Sequence, residues 1–89
     1  MAVIRGMITA RQVRAARALL DWTQDTLAEE ALVSLTALKR LEDRRELKVH
    51  ESTRVQVQRA LEKAGIVFIA TEGGRGVMLV QRPNATVLS

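Results

Sequence analysis

The chain has 89 residues, with 14 lysines and arginines against 10 aspartates and glutamates, a formal net charge of +4, and no cysteine. This length predicts a single domain, and the lack of cysteine excludes disulfide bonds and thiolate chemistry. No apolar run reaches the ~18 residues that a membrane span requires, and residues 1–11 lack the apolar stretch of a secretory signal. We therefore expect a soluble, cytoplasmic protein that does not bind membranes.

Charge is distributed unevenly along the chain. Residues 1–20 contain four arginines and no acid, residues 21–35 contain four acids and no base, and residues 36–63 are again net basic. The basic balance favours an anionic partner. Trp22 and Phe68 are the only aromatic residues, so recognition of single-stranded nucleic acid by base stacking is disfavoured. The simplest interpretation is that both are core residues.

The first helix follows an N-terminal arm over residues 1–8, which is either a loose segment or a short strand containing Val3 and Ile4. Thr9 and Gln12 have the spacing of a capping box, with Ile8 and Val13 at the flanking staple positions. This signal predicts a helix from the cap to about residue 20. Its expected inward face consists of Val13, Ala16, Leu19 and Leu20.

Two short helices follow, joined by a very short turn. Thr23 predicts the cap of a helix from 24 to about 31, and Ser34 predicts the cap of another from 35 to about 43. Only residues 32–34 connect the two, which forces the helices to cross steeply, as in a helix-turn-helix. The expected buried residues are Leu27, Ala28 and Ala31 in the first of these helices and Leu38 and Leu41 in the second.

The C-terminal third changes from helix to strand. A charged loop over 44–51 leads to a fourth helix that starts at Ser52 or Thr53 and stops at Gly65. Apolar runs over 66–70 and 77–80, separated by a glycine-rich turn over 71–76, predict a β-hairpin within 66–81. The hairpin either packs on its own helices or pairs with a second copy as a dimerisation element. Residues 82–89 are predicted to be a flexible tail. The expected inward face of the fourth helix is Val57, Ala60, Leu61 and Ala64.

Residues 23–34, with the sequence TQDTLAEEALVS, are followed by Leu38 and by Leu41-Glu42. This ordered set resembles the lambda-repressor-like (Xre/Cro-type) helix-turn-helix DNA-binding domain over residues 9–64. Residues 60–65 and the glycine-rich hairpin resemble the ends of small bacterial transcriptional regulators of that group. The resemblance implies a mainly α fold, a four- to five-helix lambda-repressor-like helix-turn-helix bundle over 9–65 with a C-terminal β-hairpin.

The resemblance also implies roles for individual residues. The third helix would enter the major groove of duplex DNA, and Arg17 would form a structural ion pair with Glu42. Leu32 stands where the family has a turn glycine, so the turn is either a strained left-handed one or reshaped. Leu35 replaces a polar residue, and Arg44 replaces a second glycine. The implied base contacts are Leu35, Thr36, Lys39 and Arg40, and the implied phosphate contacts are Gln24, Arg44, Arg45 and Lys48.

Other chemistry has little support in the sequence. His50 is the only histidine and stands in a charged loop, so we expect a surface residue, no catalytic or metal site, and no cofactor. The run Gly73-Gly74-Arg75-Gly76 lacks the Lys-Ser/Thr ending of a phosphate loop and is expected to be the hairpin turn.

Two functional hypotheses remain at this stage. The first is a homodimeric regulator, most simply a repressor, that binds an inverted repeat in double-stranded DNA. In this hypothesis a regulatory protein partner is possible. The second is a protein-interaction module on a degenerate helix-turn-helix fold, such as an anti-regulator or antitoxin, which the residues at positions 32, 35 and 44 favour.

Overall fold

A computed structural model describes residues 7–80 as four helices followed by one antiparallel pair of strands. The described part of the chain is therefore mainly helical and ends in a β-hairpin, as predicted. None of the helices in this part combines the length and the apolar character needed to cross a membrane. The elements are α1 (Ala10–Leu20), α2 (Gln24–Ala31), α3 (Leu35–Glu42), α4 (Glu51–Lys63), β1 (Ile66–Thr71) and β2 (Gly74–Leu79).

The predicted terminal segments fall mostly outside these residues. The predicted tail over 82–89 lies beyond them, as does the last residue of the hairpin range 66–81. Of the predicted arm over 1–8, only Met7 and Ile8 are described, and Ile8 is buried in the core. The hydrophobic core therefore includes the residue that precedes the cap of α1.

The first three helices begin at the predicted caps. The Thr9 hydroxyl accepts from the Gln12 amide at 3.1 Å, and the Gln12 side chain accepts from the Thr9 amide at 3.0 Å, which completes the capping box. Thr23 caps α2 and Ser34 caps α3 in the same manner, each hydroxyl accepting an amide three residues on. The caps satisfy amides that a helix cannot pair internally, and they confirm the predicted starts.

The turn between α2 and α3 keeps the left-handed geometry. Leu32 has φ 59° and ψ 42°, and the amide of Val33 donates to the Ala28 carbonyl at 3.1 Å, the long bond of a Schellman motif. The Leu32 side chain is 82% exposed. Of the two expected outcomes, the strained turn is therefore the one observed, and Leu32 gains little burial in return.

We expect Leu32→Gly to raise the free energy of unfolding by about 0.5–1 kcal/mol. It removes left-handed strain of about 1–2 kcal/mol and adds about 0.5–1 kcal/mol of chain entropy cost. Urea unfolding measures the difference. Leu32→Ala is the matched control, because it removes the exposed side chain but keeps the Cβ atom and the strain. Equal stability of the two variants would contradict the strain argument.

Three details of the helices differ from the sequence prediction. Leu19 is 47% exposed and does not belong to the inward face, although it lies one turn after the buried Ala16, because no neighbouring element covers it. Helix α3 ends at Glu42, one residue earlier than expected. Helix α4 begins at Glu51 after His50, not at Ser52 or Thr53, because the His50 carbonyl accepts the amide of Thr53 at 3.1 Å and Thr53 itself is buried.

The hairpin turn is tighter than predicted. Strands β1 and β2 are separated only by Glu72 and Gly73, whereas the sequence suggested a turn over 71–76. Gly74 and Gly76 belong to β2, where they pair with Thr71 and Ile69. Continuing the ladder satisfies backbone groups that a longer loop would leave to water, so the glycines extend the strand.

The hairpin packs on the helices of its own chain. Ile66 is buried, and Phe68, Val77 and Leu79 pack against the core. The Gln12 side-chain amide donates to the carbonyls of Ile69 at 3.1 Å and Gly76 at 2.9 Å, which ties α1 to both strands. The buried apolar core consists of Ile8, Val13, Ala16, Leu27, Ala28, Ala31, Leu38, Leu41, Val57, Leu61 and Ile66. Ala60 and Ala64, two of the four inward residues expected for α4, are only half-buried.

Candidate nucleic-acid interface

Helix α3 has one face in the core and one face in solvent. Leu38 and Leu41 are buried, and their spacing sets the orientation of the helix. Thr36, Lys39 and Arg40 are exposed on the opposite side, which is where the sequence prediction put them. Leu35 differs from these three, because it is half-buried and packs against the core, so only part of its side chain faces outward.

The buried Glu42 carboxylate joins the first three helices. Arg17 Nε donates to Oε2 at 2.8 Å and Nη2 donates to Oε1 at 2.9 Å, so the predicted ion pair is present and bidentate. Gln24 Nε2 donates to Oε1 at 3.0 Å. Since these donors come from α1 and α2 and the acceptor ends α3, the carboxylate fixes how α3 is held.

Two further contacts around Glu42 were missed by the sequence analysis. Arg14 Nη1 donates to the Glu42 main-chain carbonyl, and Arg17 Nη1 donates to the Trp22 carbonyl at 3.0 Å. Both acceptors are main-chain oxygens, which every residue has, so no residue type in the sequence marks them. The first contact pairs a carbonyl at the carboxy-terminal end of α3, where the last carbonyls lack helical partners, and the second pairs a carbonyl in the connection between α1 and α2.

Gln24 therefore already has a partner within the protein. The phosphate contact implied for its side chain stays a prediction, and it would use the remaining hydrogen of the side-chain amide nitrogen. Asp25, in the same first turn of α2, stabilises the helix end electrostatically but repels a phosphate there. The free amides at the start of α2 are the better phosphate donors at this point.

The Arg40 side chain is held in place by the loop that follows α3. Its Nε and Nη2 donate to the Lys48 carbonyl at 3.2 and 3.0 Å. These bonds leave Nη1 and one hydrogen of Nη2 free, which is the pair of donors at the end of the guanidinium. Such a pair has the geometry that binds a guanine edge at two points.

Arg45 is engaged in an exposed ion pair with Asp43. Its Nη2 lies 2.9 Å from Asp43 Oδ2, and its Nε and main-chain amide donate to Oδ1. Hydrogen bonds from the Arg45 side chain and amide lower the pKa of Asp43 to about 2. The pair thus favours folding above pH ~4, where unfolded Asp is ionised, and this contribution is lost as the pH falls through about 2.

Arg44 and Lys48 complete the implied set of phosphate contacts. Both are exposed, and within residues 7–80 neither side chain makes a hydrogen bond or an ion pair. The exposed basic residues of α3 and of the loop after it are Lys39, Arg40, Arg44, Arg45 and Lys48, and we call this set the α3 surface. Its acidic neighbours are Asp43, paired with Arg45, and Glu46.

The potential metal ligands among the described residues are one histidine and the acidic side chains. His50 is exposed at the start of α4, and its side chain does not cap the helix. No group of three or more histidines, cysteines or acids in residues 7–80 is arranged to hold a metal ion. Trp22 and Phe68 are partly buried against the core, in line with the structural role expected for them.

A comparison of the chain with protein-family models gives no match, and a comparison with curated protein sequences gives none either.

Proposed function

We propose that this chain is a sequence-specific, double-stranded DNA-binding regulator with a lambda-repressor-like helix-turn-helix, acting as a homodimer and most simply as a repressor. Helix α3 lies in the major groove in this proposal. The base contacts are Thr36, Lys39 and Arg40, with the exposed part of Leu35, and the phosphate contacts are Gln24, Arg44, Arg45 and Lys48.

One observation carries this proposal: α3 is rigidly mounted and presents a basic, solvent-facing side. The three-residue turn and the Glu42 carboxylate hold α3 against α1 and α2, while Thr36, Lys39 and Arg40 point away from the core. The Lys48 carbonyl restrains Arg40 before any ligand binds. Base readout benefits from this arrangement, because little side-chain entropy remains to be lost on binding.

The dimeric state is argued from the hairpin. In the part of the chain that the structure describes, β1 and β2 pair only with each other, so each has an unpaired edge, and Met78 and Val80 are 45% and 42% exposed. An edge of one hairpin fits the same edge of a second copy across a two-fold axis, which joins the two sheets into one. A dimer of this kind would bind an inverted repeat with half-sites about 34 Å apart.

The test is fluorescence anisotropy with DNA from upstream of the protein's own gene and with a scrambled duplex, at several salt concentrations. We expect preference for the upstream duplex at ~150 mM salt and saturation at two chains per site. Arg40→Ala should weaken specific binding by about 1–3 kcal/mol and relax the preference at one base pair. Arg40→Ala with unchanged affinity and preference would contradict the assignment of base readout to α3.

Lys48→Ala separates phosphate contacts from base readout. The substitution removes the ammonium group but keeps the carbonyl that holds Arg40, so binding to all duplexes should weaken equally and the salt slope should fall by about one unit. Lys63→Ala on α4 is the control with the same charge change away from the α3 surface. Equal effects of both variants would indicate that only net charge matters.

Asp43→Asn is expected to strengthen DNA binding. It releases Arg45 from its ion pair and removes a negative charge from the α3 surface, so affinity for every duplex should rise several-fold and the salt slope should steepen by about one unit. The same anisotropy titration measures this change. Glu62→Gln, which has the same charge change on α4, serves as the control. Weaker binding by Asp43→Asn would mean that the paired Arg45 is the form that contacts DNA.

The second candidate function is the protein-interaction module, and one observation favours it. Gln24 and Arg45, two of the four phosphate contacts, are bonded to carboxylates of the protein itself. Weak binding to both duplexes that vanishes with salt, together with no effect of Arg40→Ala, would favour this candidate over the DNA-binding regulator.

A further inference from the structure

A second basic feature lies apart from the exposed face of α3. It is a groove of about 810 Å³ between the amino-terminal half of α1, the loop after α3 and strand β2. This volume falls within the range of small-molecule sites, about 300–1,000 Å³. We call it the α1–β2 groove, and its charged lining residues are Arg11, Arg14, Arg44, Glu46 and Arg75.

Four arginines thus face one carboxylate in a single concave surface. They come from three separate places in the chain: Arg11 and Arg14 from α1, Arg44 from the loop, and Arg75 from β2, 64 residues after Arg11 in the sequence. The fold, and not local sequence, brings them together. Guanidinium groups that share a concave surface repel one another, because low-dielectric walls concentrate their field. A bound anion would relieve this repulsion.

The arginines retain most of their hydrogen-bond donors. Arg14 Nη1 donates to the Glu42 carbonyl, and Arg75 Nη1 donates to the Met7 carbonyl at 3.0 Å. Neither contact neutralises charge, since both acceptors are main-chain oxygens. In the described part of the chain, Arg11 and Arg44 make no hydrogen bond or ion pair. Planar guanidinium groups with free donors bind phosphate at two points.

The start of α1 adds to the positive potential. Its first turn contains no acidic residue, although acids at this position would offset the helix dipole. Thr9, Ala10 and Gln12 line the groove beside Arg11. The capping box already pairs the amides of Thr9 and Gln12, so the amides of Ala10 and Arg11 are the ones that remain free in this first turn. The groove therefore combines a cavity, four guanidinium groups and a helix terminus that lacks a compensating carboxylate.

We propose that the α1–β2 groove binds a small molecule that carries two or more phosphate groups. The apolar walls, Ala10, Ala15 and Val77, would contact the organic part of such a ligand. A small ligand fits the position better than the DNA backbone does. The groove is lined by the amino-terminal half of α1, whereas the implied phosphate contact Gln24 follows the carboxy-terminal end of α1. The 11 residues of α1 span ~16 Å, so the groove and Gln24 lie near opposite ends of this helix.

Binding at this groove has a consequence for the proposed DNA interface. Arg44 lines the groove and is also an implied phosphate contact, so a bound polyphosphate would compete for the same guanidinium. The ligand would thereby weaken DNA binding and act as an effector. This consequence rests on the proposed function, whereas binding of the anion itself does not.

The experiment is isothermal titration calorimetry of the full chain with sodium pyrophosphate, at constant ionic strength and with sodium sulfate in the reference titration. We expect saturable binding at one pyrophosphate per chain, stronger than sulfate. Arg11→Gln and Arg75→Gln should each weaken pyrophosphate binding by about tenfold. Arg59→Gln, which removes an exposed charge from α4 outside the groove, should leave the affinity unchanged. Arg11 is exposed and makes no hydrogen bond or ion pair within residues 7–80, so its variant keeps the test valid if Arg75→Gln unfolds.

Three results would overturn the proposal. These are no pyrophosphate binding, non-saturating binding that is equal in all variants, and an Arg59→Gln effect as large as that of Arg11→Gln. A parallel DNA titration distinguishes the source of the phosphate. If Arg11→Gln lowers the salt slope of DNA binding and leaves pyrophosphate binding unchanged, the groove is a DNA contact and not a small-molecule site. Pyrophosphate binding without any DNA binding would support the groove and contradict only the proposed function.

Discussion

Glu42→Gln should lower the free energy of unfolding by about 3 kcal/mol, the lower end of the ~3–5 kcal/mol range for breaking a buried ion pair. The substitution keeps the size of the side chain but removes its charge, so Arg17 is left without a counterion. The lower end applies because the side chain of Glu42 is 3% exposed but that of Arg17 is 21% exposed, and water partly solvates the guanidinium. Urea unfolding followed by circular dichroism measures the loss.

Asp43→Asn is the matched control for this loss. It breaks the other ion pair of the described residues, one position further along the chain, but that pair is exposed and its loss should change stability far less. If Glu42→Gln were no more destabilising than Asp43→Asn, the contacts of the Glu42 carboxylate with Arg17 and Gln24 would not stabilise the packing of α3 against α1 and α2. If Glu42→Gln reduced DNA binding by more than it reduced the fraction of folded protein, the Glu42 contacts would also be needed to orient α3 for DNA binding.

Leu38→Ala is expected to lower the free energy of unfolding by about 2–5 kcal/mol, as large-to-small substitutions at fully buried leucines do. The Leu38 side chain has no exposed surface and lies on α3 opposite the exposed residues Thr36 and Arg40. A cavity at this position removes packing contacts in the core and weakens the packing of α3 against the other helices. A domain of this size has only about 5–15 kcal/mol in total, so a large part of the stability depends on this one side chain.

Leu19→Ala is the control for the cavity argument. It makes the same change of side chain on α1, but Leu19 is 47% exposed, and the expected effect is below about 1 kcal/mol. Thermal unfolding of both variants, checked against urea unfolding, measures the difference. If both variants lost the same free energy of unfolding, burial of Leu38 would not account for its contribution to stability.

The features that the sequence predicted correctly are local ones. The caps Thr9, Thr23 and Ser34 act on amides three residues away, and the inward stripe of α2 repeats within one or two turns. The Arg17–Glu42 pair was implied by resemblance, and the structure contains it. Errors occurred where tertiary contacts decide. Leu19 was expected in the core because its spacing fits the stripe, but no neighbouring element covers it.

The candidate interface divides in the same way. The resemblance implied that Thr36, Lys39 and Arg40 face away from the core, and all three are exposed, on the side of α3 away from the buried Leu38 and Leu41. The partners of Gln24 and Arg40 did not follow, since a carboxylate 18 residues away and a loop carbonyl leave no trace in local patterns. DNA binding itself stays a proposal that rests on the mounting and charge of α3.

The sequence by itself determined the order of the elements, the caps of the first three helices and the basic character of α3, because these depend on residue types and on interactions within about four residues. Only the tertiary structure decided the tight hairpin turn, the role of Gln12 in holding that hairpin, and the gathering of Arg11 and Arg75 in one groove. The acceptors of Gln12 lie 57 and 64 residues along the chain, and both are main-chain carbonyls. Such contacts exist only once the chain has packed, since any residue type supplies the same carbonyl.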